Sequence, residues 1–187
     1  MFTDGRSRKV VLAAHCLLNQ NSISDGTAVY PAAFREVVET LLDAEVGILQ
    51  MPCPELCCLG LDRGNPEGAQ EAVVVENTRI RREMQRADRE QKLLGLVEHV
   101  MDQVLEYRRH GFSIVGIVGA NRSPNCGVET TSAQNREVPG KGLFMEHLAR
   151  RLEEEGLSIP MIGLKASEDP AGKVTALLKL EEGEKSV

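Results

Sequence analysis

Three cysteines stand in places where they can share chemistry: Cys16 in HCLLN, Cys53 in PCPE and Cys126 in RSPNCG, each just after a short apolar run. If those runs are strands of one parallel sheet, their carboxyl ends lie along one edge. The three thiols then meet in the crevice where open α/β sheets bind ligands. Three thiolates at one point make a metal site with a coordination position left over, and such soft ligands select zinc, copper(I) or an iron–sulfur cluster. Pro52 and Pro54 bracket Cys53, while Pro124 and Gly127 flank Cys126. Prolines fix φ and remove backbone donors, so these stretches are expected to hold a side chain in a set direction and to resist becoming helix. A lone cysteine near a strand end is ordinarily a small buried hydrophobe; three at equivalent topological positions are harder to assign to filler. Cys57 and Cys58 lie in LCCLGL, which reads as an apolar turn in which both pack; the alternative is that Cys57 shares a helical turn and a metal with Cys53, or that either shares a metal with Cys16 and fills its fourth position.

The elements that must position these residues are legible as alternating patterns. Residues 9–14 (KVVLAA), 46–51 (VGILQM), 113–119 (SIVGIVG) and 160–164 (PMIGL) are nearly continuous in hydrophobicity, as strands covered on both faces are. Between them, residues 31–43, 93–105 and 142–155 carry apolar residues at helical spacing, with Pro31 suited to a first helical position. Asp169-Pro170 reads as an N-cap followed by proline and opens a last helix. The charged segment 76–92 reads as a solvated helix or the exposed start of the following one, with a mobile lid presenting arginines to an anionic substrate as the alternative. The expectation is a single domain over residues 1–187, a three-layer α/β/α sandwich on a short, mostly parallel, Rossmann-like sheet.

Composition narrows the partners. The chain has 187 residues, 42% of them hydrophobic, which suffices for one substantial core. With 22 Lys and Arg against 28 Asp and Glu, the net charge of −6 argues against a DNA-binding surface, which needs clustered cations. Two Tyr, four Phe and no Trp leave little for a base-stacking platform, though a single base in a pocket remains compatible. No apolar run approaches a membrane span, and the amino-terminal pattern is not that of a signal peptide, so the expected setting is cytoplasmic, with no membrane partner. Five cysteines cannot all pair within one chain, and a reducing compartment disfavours structural disulfides. The sequence leaves the oligomeric state open.

Four motifs then stand out together: CLLN at 16–19, Asp25-Gly26, CPE at 53–55 and SPNCG at 123–127. In order and placement they resemble the thiouracil desulfidase (TudS) family, which shows a CLLG start, a downstream DG, a CPE and an SPSCG. The likeness covers roughly the first 145 residues. HCLLNQN in place of the CLLG start, and LCCLGL after CPE, point to a TudS-related branch. The resemblance implies a [4Fe-4S] cluster held by Cys16, Cys53 and Cys126, with a fourth iron that has no protein ligand. It implies a non-redox desulfidase in which that iron takes the sulfur of a small thiolated base or nucleoside. It also implies an acid/base glutamate and a nearby serine, here Glu55 and Ser123. Asn19, standing where the family has glycine, Asp25 on a loop over the pocket, and Asn121 before the RSPNCG turn are candidate substrate contacts.

That chemistry is reasonable on its own terms. Water attacks a C=S carbon only if the sulfur can carry away charge, which a Lewis acid assists, and a partly buried carboxylate can take the proton. His15 precedes Cys16. If the first strand runs through both, they point to opposite faces, making His15 a core or supporting residue rather than a ligand. Two other classes compete. One is a non-catalytic iron–sulfur or zinc module that carries sulfur between enzymes. The other is a metal-free enzyme with Cys126 as nucleophile, for which His147 is the nearest following histidine.

Overall fold

The structure, a computed structural model, describes residues 2–184, with side chains described through residue 180. Four strands form a parallel sheet: β1 (Lys9–Ala13), β2 (Gly47–Gln50), β3 (Ser113–Ala120) and a last strand, here β6 (Met161–Leu164), in the order β2-β1-β3-β6. These are the four apolar runs, three of them trimmed at their ends and the third run extended by one residue to Ala120. Val11, Leu12, Ile117 and Val118 are wholly buried because helices cover both faces. On one side lie α2 (Arg35–Asp43) and α7 (Pro170–Glu184); on the other, α5 (Ala87–Arg109) packs with α6 (Leu143–Glu154). The expected three-layer, Rossmann-like sandwich is thus the observed architecture.

The departures have local causes. The helix read from residue 31 begins only at Arg35, since residues 31–34 are tied back to the first crossover. There the Gln20 N–H donates to the Ala32 carbonyl (2.6 Å) and the Phe34 N–H to the Leu17 carbonyl (2.9 Å). The expected N-cap of α7 is present, with the Gly172 N–H donating to Asp169 Oδ1 (2.9 Å) and Pro170 first in the helix. Segment 76–92 is no free lid. It closes α4 (Val73–Met84), turns at Gln85–Arg86 and opens α5, and it buries Glu76, Asn77, Thr78, Ile80 and Met84 on its inner face. A hairpin of β4 (Thr130–Ala133) and β5 (Arg136–Pro139), turned by Gln134 and Asn135 with φ of 54° and 58°, was not legible as alternation; it packs on α4. Left-handed backbone at both central residues is what a two-residue hairpin demands.

The strand order reverses at β1. The chain leaves β1 for β2 on one side and returns beyond it to β3, so the crevice between the carboxyl ends of β1 and β3 is the switch point where such sheets bind ligands. Among the described residues, no helix is long and apolar enough to cross a membrane.

Candidate functional site

Each cysteine reaches that crevice by a different local device. After β1, the chain enters a short helix α1 (His15–Leu18), and Cys16 lies in its first turn. The strand therefore ends two residues before the point where alternation would separate His15 from Cys16. Both line the same cavity, which corrects the expectation that they face opposite ways. Cys53 is the N-cap of α3 (Pro54–Leu59), its sulfur accepting from the Leu56 N–H (3.5 Å), while Pro54 opens the helix. Pro54 thus starts a helix rather than preventing one, as proline at a first helical position can, since its missing N–H would have been unpaired there. Cys126 folds back over the end of β3, its carbonyl accepting from the Ala120 N–H (2.8 Å). A Cβ at Gly119 would come within 2.3 Å of that carbonyl, so only glycine at this strand position lets the Cys126 turn sit so close.

Cys16, Cys53, Cys126, Glu55 and Ser123 line one cavity of about 100 Å³, along with Asn121, Arg63 and His15. Burial is the largest influence on all three thiols. It pushes Cys16 up to about 12, Cys53 up to about 11 and Cys126 well above the ordinary thiol range. Mutual repulsion among the thiols, and the Glu55 carboxylate, add to the upward push on Cys16 and Cys126; Arg63 works against it at Cys16 and Cys53. Three desolvated thiols around one space suit a soft cation, which would replace their protons. The fit is one of donor chemistry and convergence: among the described residues no three His, Cys, Asp or Glu side chains already sit at the spacing that holds a single ion. Cys57 and Cys58 do not line the cavity. The Cys58 sulfur lies 3.9 Å from the Arg89 carbonyl and the Cys57 carbonyl accepts from Lys92, both on the α5 side.

Glu55 is 8% exposed and its carboxylate receives four donors. Oε2 takes Arg63 Nε (3.2 Å) and Ser24 Oγ (3.4 Å); Oε1 takes Asn125 Nδ2 (3.1 Å) and Ser123 Oγ (3.4 Å). The Ser123 hydroxyl also accepts from the N–H groups of Asn125 (3.2 Å) and Cys126 (2.9 Å), so one serine joins the carboxylate to the cysteine turn. Asn125 is fully buried. Its amide nitrogen faces the carboxylate and its Oδ1 has no protein partner among the described residues.

The other sequence candidates fare differently. Asn121 lines the cavity, but its side chain is a loop staple. Oδ1 accepts from the N–H groups of Val128, Glu129 and Thr130 (3.1–3.3 Å), and Nδ2 donates to the Gly163 carbonyl (3.2 Å). Asn19 and Asp25 are not brought to the cavity. Asn19 caps the 3-10 turn Gln20–Ser22 through its own Oδ1, and Asp25 accepts from the Gly26 N–H (2.8 Å) beside a separate recess of about 20 Å³. His147 bonds Arg150 on α6 (2.8 Å) and does not line the cavity, which leaves Cys126 without that partner.

Sequence reasoning missed Arg63 and Asn125. In LDRGN an arginine reads as a solvated turn residue, yet Arg63 is 2% exposed with φ of 57°. The signal available was only its position ten residues after Cys53 in a turn of two glycines.

Comparison with known proteins adds a relative without a described role. Over 174 residues, 93% of this chain and 97% of the other, the protein is 26% identical to one named "Uncharacterized protein MJ0003" from Methanocaldococcus jannaschii. No family model matches the chain. No solved structure matches it either.

Proposed function

We propose that this protein is a non-redox desulfidase that replaces the thiocarbonyl sulfur of a small thiolated base or nucleoside with oxygen, using a [4Fe-4S] cluster held by Cys16, Cys53 and Cys126. The single observation that carries the reading is the meeting of three thiols, a buried carboxylate and a serine hydroxyl on one cavity at the switch point of the sheet. The order of the TudS-like motifs supports it. When bound, such a cluster with one open iron supplies a soft Lewis acid for the departing sulfur.

The overall change is R₂C=S + H₂O → R₂C=O + H₂S. The water oxygen bonds to the carbon, the C–S bond breaks, and both hydrogens of the water end on the sulfide. No electron is gained or lost, so no reductant is needed. Glu55 is the group placed to accept the first proton from the attacking water, and Oε1 is the oxygen that shares its face with Ser123. Ser24, Arg63 and Asn125 hold the carboxylate still, so its direction is set before substrate arrives. Ser123 keeps the Cys126 turn at a fixed distance from that carboxylate.

The test is anaerobic incubation of reconstituted protein with 2-thiouracil or 4-thiouridine, following loss of the thiocarbonyl absorbance and release of sulfide. Turnover by wild type and its loss in Glu55→Gln is the expected result. A protein that holds iron and sulfide but consumes no thiolated compound would instead be a sulfur-carrying or structural module.

A further inference from the structure

Arg63 is the buried charge that the sequence did not announce. A guanidinium has five N–H groups, and all five have partners here. Nε donates to Glu55 Oε2 (3.2 Å); Nη1 donates to the carbonyls of Gly60 (2.8 Å) and Leu61 (3.0 Å); Nη2 donates to the Ser22 carbonyl and to the Cys53 sulfur (3.7 Å). The residue itself is held from outside, because its own carbonyl accepts from Arg79 Nη2 (2.8 Å), and Arg79 is paired to Glu76 on α4 (2.6 Å). The left-handed backbone at Arg63 is held in place by the side chain's five bonds and the Arg79 contact.

We propose that Arg63 is a positioning residue of this site: its one guanidinium holds the Cys53 sulfur and the Glu55 carboxylate side by side on one wall of the cavity. Cys53 and Glu55 lie two residues apart at the start of α3, and Arg63 donates to both. A rigid, planar fork between them fixes the angle of each. The bond to Ser22 extends the clamp to the crossover that follows Cys16, so two of the three cysteine segments are tied through one side chain. Lysine would supply the charge without the fork.

The activity of the clamp rests on the desulfidase reading; its electrostatics do not. The first measurement uses metal-free, reduced protein and compares alkylation by iodoacetate and by neutral iodoacetamide at one pH, site by site, by peptide mass spectrometry. The ratio of the two rates cancels thiolate fraction and most of the accessibility, and reports the local charge. Arg63→Met is expected to lower that ratio at Cys53 about five-fold, the weight of one unit charge a few ångströms away in a wet cavity. Arg63→Lys keeps it. Cys58, beside Lys92 and Arg89, stays unchanged in both. Should Arg63→Met unfold, Arg63→Met/Glu55→Gln removes both buried charges and is measured against Glu55→Gln. The second measurement is iron loss to a chelator from loaded protein, expected to be at least about tenfold faster in Arg63→Lys than in wild type for want of the fork. An unchanged alkylation ratio in folded Arg63→Met, or wild-type iron retention in Arg63→Lys, overturns the proposal. If wild type loads no iron, the desulfidase reading falls, and the alkylation ratio alone decides Arg63.

Discussion

The two ends of the central sheet are built from different material. Every buried polar or charged residue among those described lies in a segment that follows the carboxyl end of β1, β2 or β3: Gln20, Ser22 and Ser24, then Glu55 through Thr78, then Asn125, Thr131 and Ser132. The amino end carries an aromatic group instead, with Phe2 edge-on to Phe112 (5.7 Å between centroids) and Tyr107 against Phe112 (5.2 Å). Left-handed, non-glycine backbone occurs at both ends and serves different purposes. Glu45, at φ 56°, is exposed and only turns the chain from α2 into β2, whereas Arg63, at φ 57°, spends its whole side chain inside the site. Buried polar atoms cost stability unless each is paired, so a fold concentrates them where chemistry needs them. The same backbone irregularity therefore carries a buried polar side chain into the cavity at one end and makes a plain turn at the other.

That contrast can be broken in order of expected effect. Cys16→Ala, Cys53→Ala or Cys126→Ala should each abolish thiouracil conversion and release the metal, read by iron analysis and absorbance. Glu55→Gln should lower kcat about 10²–10⁴-fold, as loss of a general base does, with metal content unchanged. Arg63→Gly relaxes a left-handed residue yet should destabilise the protein by about 3–5 kcal/mol in urea unfolding, because it strands a buried carboxylate. Phe112→Ala, at the other end, should cost roughly 1–3 kcal/mol through lost burial and ring contacts while leaving conversion intact. Glu45→Gly should raise stability by about 0.5–1 kcal/mol with no effect on conversion, since glycine adopts that φ freely. If Arg63→Gly and Glu45→Gly proved alike, the distinction between the two ends would fail.

A pH effect follows from the thiols. Cys16 and Cys53 are raised to about 12 and about 11, so the metal-free fold keeps protons that the unfolded chain gives up near the ordinary value of 9.0. The unfolded state then binds fewer protons, and stability must fall as pH rises from about 9 toward 11. Wild-type, metal-free protein should lose more unfolding free energy between pH 8 and 10 than the Cys16→Ser/Cys53→Ser/Cys126→Ser variant. Parallel curves would contradict this.

Much of this was legible in the chain. Four continuous apolar runs and the helical spacing between them announce a covered parallel sheet, and once that is assumed, the cysteines after three of the runs must share an edge. Glu55 and Ser123 came from motif order rather than from any spacing rule. What could not be read depends on contacts distant in sequence. Arg63 is buried because the Ser22 carbonyl, forty-one residues earlier, lies over it; the turn LDRGN gives no hint of that. Asn125 is a site residue only because Glu55, seventy residues earlier, arrives beside it. Asn19 and Asp25 fail for the converse reason. An oxygen of each side chain bonds within its own turn, a local bond that sequence alone does not separate from a free group pointing at a cavity.

The most direct test of the central claim is the iron and acid-labile sulfide content of anaerobically purified protein. It is measured on wild type, on each of Cys16→Ala, Cys53→Ala and Cys126→Ala, and on Cys57→Ala/Cys58→Ala. The account predicts about four of each per chain in wild type and in the double variant, and loss in each of the three single variants. Zinc or no metal in wild type, or loss of iron in the double variant, would contradict it.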